Sequence, residues 1–175
     1  MSVDAAQLRI VTYPAASLRE RGVAVDADSE EVRIVARRMI DLMHEANGVG
    51  LAAPQVGLAW RLFVTNGGEV DPVDRVFINP ELELGRGELV TAEEGCLSLP
   101  DIHVNVRRPD AARIRAIDLD GKAFTMDGEG MLARIWQHEF DHLNAVLIVD
   151  RMSPMDRLTT RRALKELESA ARAVR

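Results

Sequence analysis

The segment Trp136-Gln137-His138-Glu139-Phe140-Asp141-His142-Leu143 contains His-Glu-x-x-His. On an α-helix, residues four apart lie about 40° apart around the axis and one turn along it. His138 and His142 would then present two imidazoles to one point, with Glu139 beside them and within reach of a water. Two metal ligands and a general base in five residues could carry out metal-assisted hydrolysis. The same residues could also be hydrogen-bonded core histidines, because short motifs match by chance.

The motif carries chemistry only on a helix. Met131 to Leu143 contains no Pro or Gly and is rich in helix formers, and Asp127-Gly128-Glu129-Gly130 offers a start. Met131, Leu132, Ile135, Trp136, Phe140 and Leu143 cover much of the circumference, so the helix is expected to be buried. A catalytic metal keeps three protein ligands and one open position. The third ligand could be His44, His103, an acidic side chain or Cys96, the chain's one cysteine and its one soft donor. A lone cysteine can equally be a small buried hydrophobe.

One domain over residues 1–175 is the natural reading of this length. A net charge of −6 argues against a general nucleic-acid binder. No apolar run reaches membrane-spanning length. Met1 to Ala6 lacks a basic region followed by an apolar core, so no signal peptide is expected. With one cysteine no internal disulfide forms, and a reducing cytoplasm is the expected location.

Along the chain, Leu8 to Thr12 reads as a strand or extended arm. A helix is expected from near Asp28, with Asp28 and Glu31 as a capping pair and an apolar face through Val32, Val35, Ala36, Met39, Leu42, Met43 and Ala46. Gly48 suits its left-handed cap. Gly48 to Gly57 has few side-chain atoms, so a backbone or ligand could approach closely. Strands are expected at Leu62–Thr65 and at Val76–Ile78, the second closed by Asn79-Pro80. Leu82/Leu84 and Leu89/Val90 flank Gly85-Arg86-Gly87 as a hairpin or a bulged turn. Further strands are expected at Val104–Arg107 and Ala112–Leu119, with Asp120-Gly121 turning into Ala123–Met126. Val146–Val149 reads as a short strand or extended piece. Ser153-Pro154 caps a final helix running to about Val174.

Three segments together resemble peptide deformylase: Gly48 to Gln55 (Gly-x-Gly-x-Ala-Ala-x-Gln), Glu94 to Ser98 (Glu-Gly-Cys-Leu-Ser) and Gln137 to Leu143 (Gln-His-Glu-x-Asp-His-Leu). All three are complete and in the family's order, and the likeness extends from about Leu8 to the final helix. The resemblance implies an α+β fold, with antiparallel sheets around a central metal-binding helix and with an N-terminal and a C-terminal helix. It implies a hydrolase that removes the formyl group from N-terminal formylmethionine of new polypeptides. The implied ion is divalent, Fe2+ above all, with Zn2+, Ni2+ or Co2+ able to replace it. Cys96, His138 and His142 match the metal ligands and Glu139 the general acid/base. Gln55 and the backbone N–H of Leu97 match the donors to the oxyanion. Gly50 would offer backbone to the peptide, and Val49, Met131 and Ile135 would lie near the methionine pocket. Glu94 and Arg108 resemble a supporting ion pair.

The sequence departs from the pattern at Ala145, where Gly is usual, at Asp101, at His103, near a substrate-contacting Arg of some members, and at Ile148, often aromatic. His-Glu-x-x-His alone would also fit a zinc peptidase, and a deformylase-like fold could bind metal or peptide without turnover. Only the first reading predicts formate release. Arg157, Arg161, Arg162, Lys165, Arg172 and Arg175 stud the last helix. They form either a solvated face or, as the resemblance suggests, a dock on the ribosome.

Overall fold

The computed structural model describes residues 3–173. Helix α1 (Glu30–Glu45) leads into β1 (Gly50–Ala52), a 3-10 turn over Ala53–Val56, β2 (Leu62–Asn66) and β3 (Asp74–Leu84). Next come β4 (Leu89–Cys96), β5 (Leu99–Pro109), β6 (Ala111–Ile117) and β7 (Ala123–Glu129). Helix α2 (Gly130–Leu143) carries the His-Glu-x-x-His segment, and α3 (Ile148–Arg151), α4 (Pro154–Thr159) and α5 (Arg161–Ala173) close the chain. The fold is α+β. An antiparallel five-stranded sheet in the order β1-β2-β3-β6-β7 stands beside a separate antiparallel ribbon, β4-β5.

Alternation along the strands builds two cores back to back. Leu62, Val64, Val76 and Ile78 face α1 through Val35, Ala36, Met39 and Met43. Their neighbours Phe63 and Phe77 point the other way, onto Ala133, Trp136 and Leu143 of α2. A third core joins Leu99, Ile102, Val104 and Val106 of the ribbon to Leu18, Leu147, Ile148 and Val149. Helix α2 is thus covered by the sheet on one side and the ribbon on the other.

Several local expectations are corrected. Of the strand and the extended arm expected at Leu8–Thr12, the structure has the arm, irregular and following a 3-10 turn at Ala5–Gln7. The α1 cap is Ser29, without a side-chain bond, and Glu31 instead accepts from the Val3 N–H at 2.6 Å. Asn47 (φ 53), not Gly48, takes the left-handed position after α1. β3 continues through Asn79-Pro80 with a register shift, because the Asn79 side chain, at φ 49, bonds both the N–H and C=O of Val25. Gly85-Arg86-Gly87 joins two sheets and makes no hairpin, since β3 pairs with β6 and β4 with β5. Ile148–Arg151 is a helical turn where a strand or extended piece was expected, and the final helix breaks at Thr160. Val174 and Arg175 lie outside the described residues, as do Met1 and Ser2 at the other end. The Ser153 cap with Pro154 at the first turn and the Asp120-Gly121 hairpin are present.

Candidate metal centre

After Gly130 helix α2 has no Gly or Pro, and its i, i+4 spacing sets the rings of His138 and His142 5.1 Å apart, centroid to centroid. Cys96 arrives from the ribbon. A register shift between Gly95 and Cys96 ends β4 in the Leu97-Ser98 turn, which swings the thiol toward the helix. Sγ of Cys96 lies 3.4 Å from Nε2 of His142, and ligand atoms of Cys96, His138 and His142 all fall within 4.8 Å of one another. One sulfur and two imidazole nitrogens suit a divalent first-row ion, with room for a fourth ligand.

The ring orientations have a visible cause at His138. Its Nδ1 meets Oε2 of Glu94 at 3.1 Å. An ionised carboxylate only accepts, so the proton sits on Nδ1 and Nε2 is left for a ligand role. Glu94 is itself forked by Arg108 (2.7 and 2.9 Å) and bonded by Arg134 (2.7 Å), and Arg108 continues to Asp141 (2.8 Å), which Arg151 also engages. Burial alone would raise the Glu94 carboxyl, but hydrogen bonds from Arg108 and His138 outweigh it and hold it well below the usual range. Burial also pushes both imidazoles toward neutrality. At His142 it prevails, reinforced by His138 and Arg108, and the pKa lies well below the ordinary value. At His138 the bonds to Cys96 and Glu94 overcome it, and the pKa is raised.

Glu139 lies 4% exposed, and burial lifts its carboxyl to about 7 against the pull of His138. Its Oε2 has no partner among the described residues. Gly50 makes room for it, since a Cβ there would sit 2.3 Å from Glu139 Oε1. Gln55 is oriented from both ends. Its Oε1 accepts from Ala52 N–H at 2.8 Å, which aims Nε2 at Cys96 Sγ (3.5 Å) and Ser98 Oγ (3.2 Å). Leu97 follows Cys96 in the turn, with its side chain over Gly48. A cavity of about 460 Å³ opens onto these groups. Ile135 (4% exposed) forms an inner wall, and Val49 and Met131, about half exposed, line it near the surface.

Cys96, His138, Glu139, Gln55, Leu97, Gly50, Val49, Met131, Ile135 and Glu94 therefore line one cavity, with His142 buried against Cys96 and Arg108 buried against Glu94. His103 and Asp101 also line the cavity, and Asp101 holds a left-handed φ of 60. His44 does not join, and bonds Asp74 at the surface. Ala145 is left-handed too, at φ 62, and Ile148 is buried. Arg134, Asp141 and Arg151 were not among the expected supporting residues. Arg134 could have been found, for it stands one turn before His138 on a helix expected to be buried, where an unpaired charge is costly.

The polypeptide deformylase family model matches residues 7–158. The chain belongs to the polypeptide deformylase family. A peptide deformylase of Bradyrhizobium diazoefficiens is 41% identical over 169 residues, 93% of this chain and 95% of the relative. The crystal structure of peptide deformylase from Plasmodium falciparum superposes with a TM-score of 0.88 at 37% identity, covering 94% of this chain and 98% of that one. The Thermotoga maritima peptide deformylase structure gives 0.78 at 42% identity, over 84% and 98% of the two chains. Both structures share the α+β arrangement of antiparallel sheets and helices described above.

Proposed function

We infer that this chain is a single-domain, metal-dependent hydrolase that removes the formyl group from the N-terminal formylmethionine of newly made polypeptides, releasing formate. The observation that carries this reading is the convergence of Cys96, His138 and His142 on one another, beside a cavity lined by Cys96, His138, Glu139 and Gln55. Family membership supplies the reaction.

Cys96 Sγ and the imidazoles of His138 and His142 would hold a divalent ion, which supplies Lewis acidity and makes hydroxide available near neutral pH. We assign Fe2+, with Zn2+, Ni2+ and Co2+ as ions that the same donors accept. Glu139 takes the proton of the attacking water and delivers it to the departing amine, a role suited to a carboxyl of pKa about 7. Gln55 Nε2 and the Leu97 N–H donate to the formyl oxygen as charge grows there, and one such donor is typically worth about 2.7–4 kcal/mol. Val49, Met131 and Ile135 receive the methionine side chain, and Gly50 offers backbone to the peptide. Glu94 and Arg108 keep His138 in the productive orientation.

The test is formate release from formyl-Met-Ala-Ser by protein loaded anaerobically with Fe2+, beside Glu139→Ala. The native chain releases formate, and the variant binds metal without releasing it. Stoichiometric metal with no formate from the native chain would overturn the reading, and cleavage of an unformylated peptide would favour a peptidase.

No described helix is long and apolar enough to cross a membrane, and we place the chain in the cytoplasm, among nascent chains. Leu158, Arg161, Arg162, Lys165, Glu166 and Ser169 line a groove on α4 and α5 in which three cations outnumber one carboxylate, and we assign it to ribosome docking. Truncation after Arg157 is expected to abolish co-sedimentation with ribosomes, and unchanged co-sedimentation removes the assignment.

A further inference from the structure

The arm Val11-Thr12-Tyr13 belongs to no sheet, yet it touches both halves of the site. The Val11 N–H donates to the backbone C=O of Gln55 at 2.8 Å, and the Tyr13 N–H donates to the C=O of Ser98 at 2.8 Å. These two acceptors belong to residues whose side chains also meet, Gln55 in the cavity wall and the buried Ser98 behind it, with Gln55 Nε2 3.2 Å from Ser98 Oγ. Gln55 belongs to the 3-10 turn after β1, while Ser98 belongs to the ribbon turn. The five-stranded sheet and the ribbon share no strand pairing, so the arm bridges two separately hydrogen-bonded layers. Its packing does the same: Leu8 and Ile10 lie against the α1 core, and Val11, Tyr13 and Ala15 against the ribbon core. At its end the Tyr13 hydroxyl donates to Glu168 of α5 at 3.1 Å.

We propose that the arm is a positioning clamp for the Gln55 amide, and that α5 holds the clamp through Tyr13 and Glu168. This rests on the reading of Gln55 as a donor to the formyl oxygen. Backbone pins at Gln55 and Ser98 set the separation of the two layers at the point where Gln55 reaches toward Cys96 and the reacting carbonyl. Tyr13 and Glu168 are positioning residues and touch no substrate. Loosening the arm shifts the donor by a fraction of an ångström, where a misplacement of 1 Å can cost about 100-fold.

The test is a double-mutant cycle on metal-loaded protein, with kcat, KM, metal stoichiometry and Tm measured for each variant. Tyr13→Phe keeps the ring packing and removes the hydroxyl. It is expected to lower kcat about three- to tenfold with KM and metal content unchanged, on the same distance argument. Glu168→Ala should do the same, and Glu168→Gln, which still accepts, should restore most of the rate. In a Gln55→Ala background Tyr13→Phe should have little further effect, because coupled residues are not additive. Equal fold losses in both backgrounds, or a kcat loss that vanishes below the unfolding range, would reduce the arm to a stability element and overturn the proposal. If Gln55→Ala alone leaves kcat unchanged, Gln55 is not the donor and the clamp falls with it. A Gln55→Ala loss combined with an additive cycle overturns the clamp alone.

Discussion

Helix α2 has two faces built on opposite principles. Toward the five-stranded sheet it presents Ala133, Trp136 and Leu143, all fully buried, with Trp136 tilted against Phe77 at 6.1 Å between ring centroids. Toward the ribbon it presents Arg134, His138 and Asp141, each tied by charge to Glu94 or Arg108. The apolar face fixes where the helix lies. Burial is non-directional, however, and cannot decide which nitrogen of an imidazole faces the site. The charged face does decide it, through bonds that work in one geometry. Such buried networks seldom add net stability, because desolvation offsets the attraction. Their worth here lies in the orientation of His138.

This contrast can be broken from either side. The largest effect is expected on the charged face. Arg108→Met leaves Glu94 and Asp141 buried with less compensation. Breaking a buried pair costs about 3–5 kcal/mol, and loss of support behind a ligand lowers metal affinity about 10- to 100-fold. Urea unfolding and a competitive metal titration read the two effects. On the apolar face, Leu143→Ala is expected to cost about 2–5 kcal/mol while the folded fraction keeps its metal affinity. Weakened affinity in folded Leu143→Ala would erase the distinction between the faces.

Gly50→Ala probes the one acidic group that neither face engages. The new Cβ would overlap Glu139 Oε1, so kcat is expected to fall about 100-fold with little change in unfolding midpoint. The smallest effect is expected at Asp150, which pairs with Arg19 at the protein surface. Burial alone would raise its carboxyl, but bonds from Arg19 and the Leu147 N–H lower it. A lowered folded pKa gives stability that is present above the unfolded value, near about 3.9, and is lost as pH falls through the folded value. Asp150→Asn should therefore flatten the acid limb slightly. Both side chains are about two-fifths exposed, which screens the pair to less than about 1 kcal/mol.

The parts of the site legible in sequence were those set by short spacing. His138, Glu139 and His142 needed only a helix, and Gln55 and Cys96 lay in segments long enough to compare with a family. Arg134 was missed because its role is defined by Glu94, forty positions away, and no local pattern records that partner. Val146–Val149 was misread in its second half because apolar residues fit a strand or a helical turn equally; Ile148 and Val149 enter a turn whose start is set by Asp150, which accepts from the Leu147 N–H. The supposed hairpin at Gly85-Arg86-Gly87 failed for a tertiary reason. The turn chemistry was adequate, but β6 offered β3 a better partner than β4 did. Asn47 displaced Gly48 from the left-handed position, while the space at Gly48 serves the Leu97 side chain, whose methyl would lie 2.7 Å from an added Cβ.

The cluster that could hold a metal draws Cys96 from the ribbon and both histidines from the helix, elements joined by no strand pairing. An ion held there would act as a rivet between them, and its loading would contribute directly to folding stability. Scarcity of the ion then has two consequences at once. The idle protein would lose turnover, and it would also open more often, which exposes it to degradation. Its abundance should track metal supply as closely as its activity does.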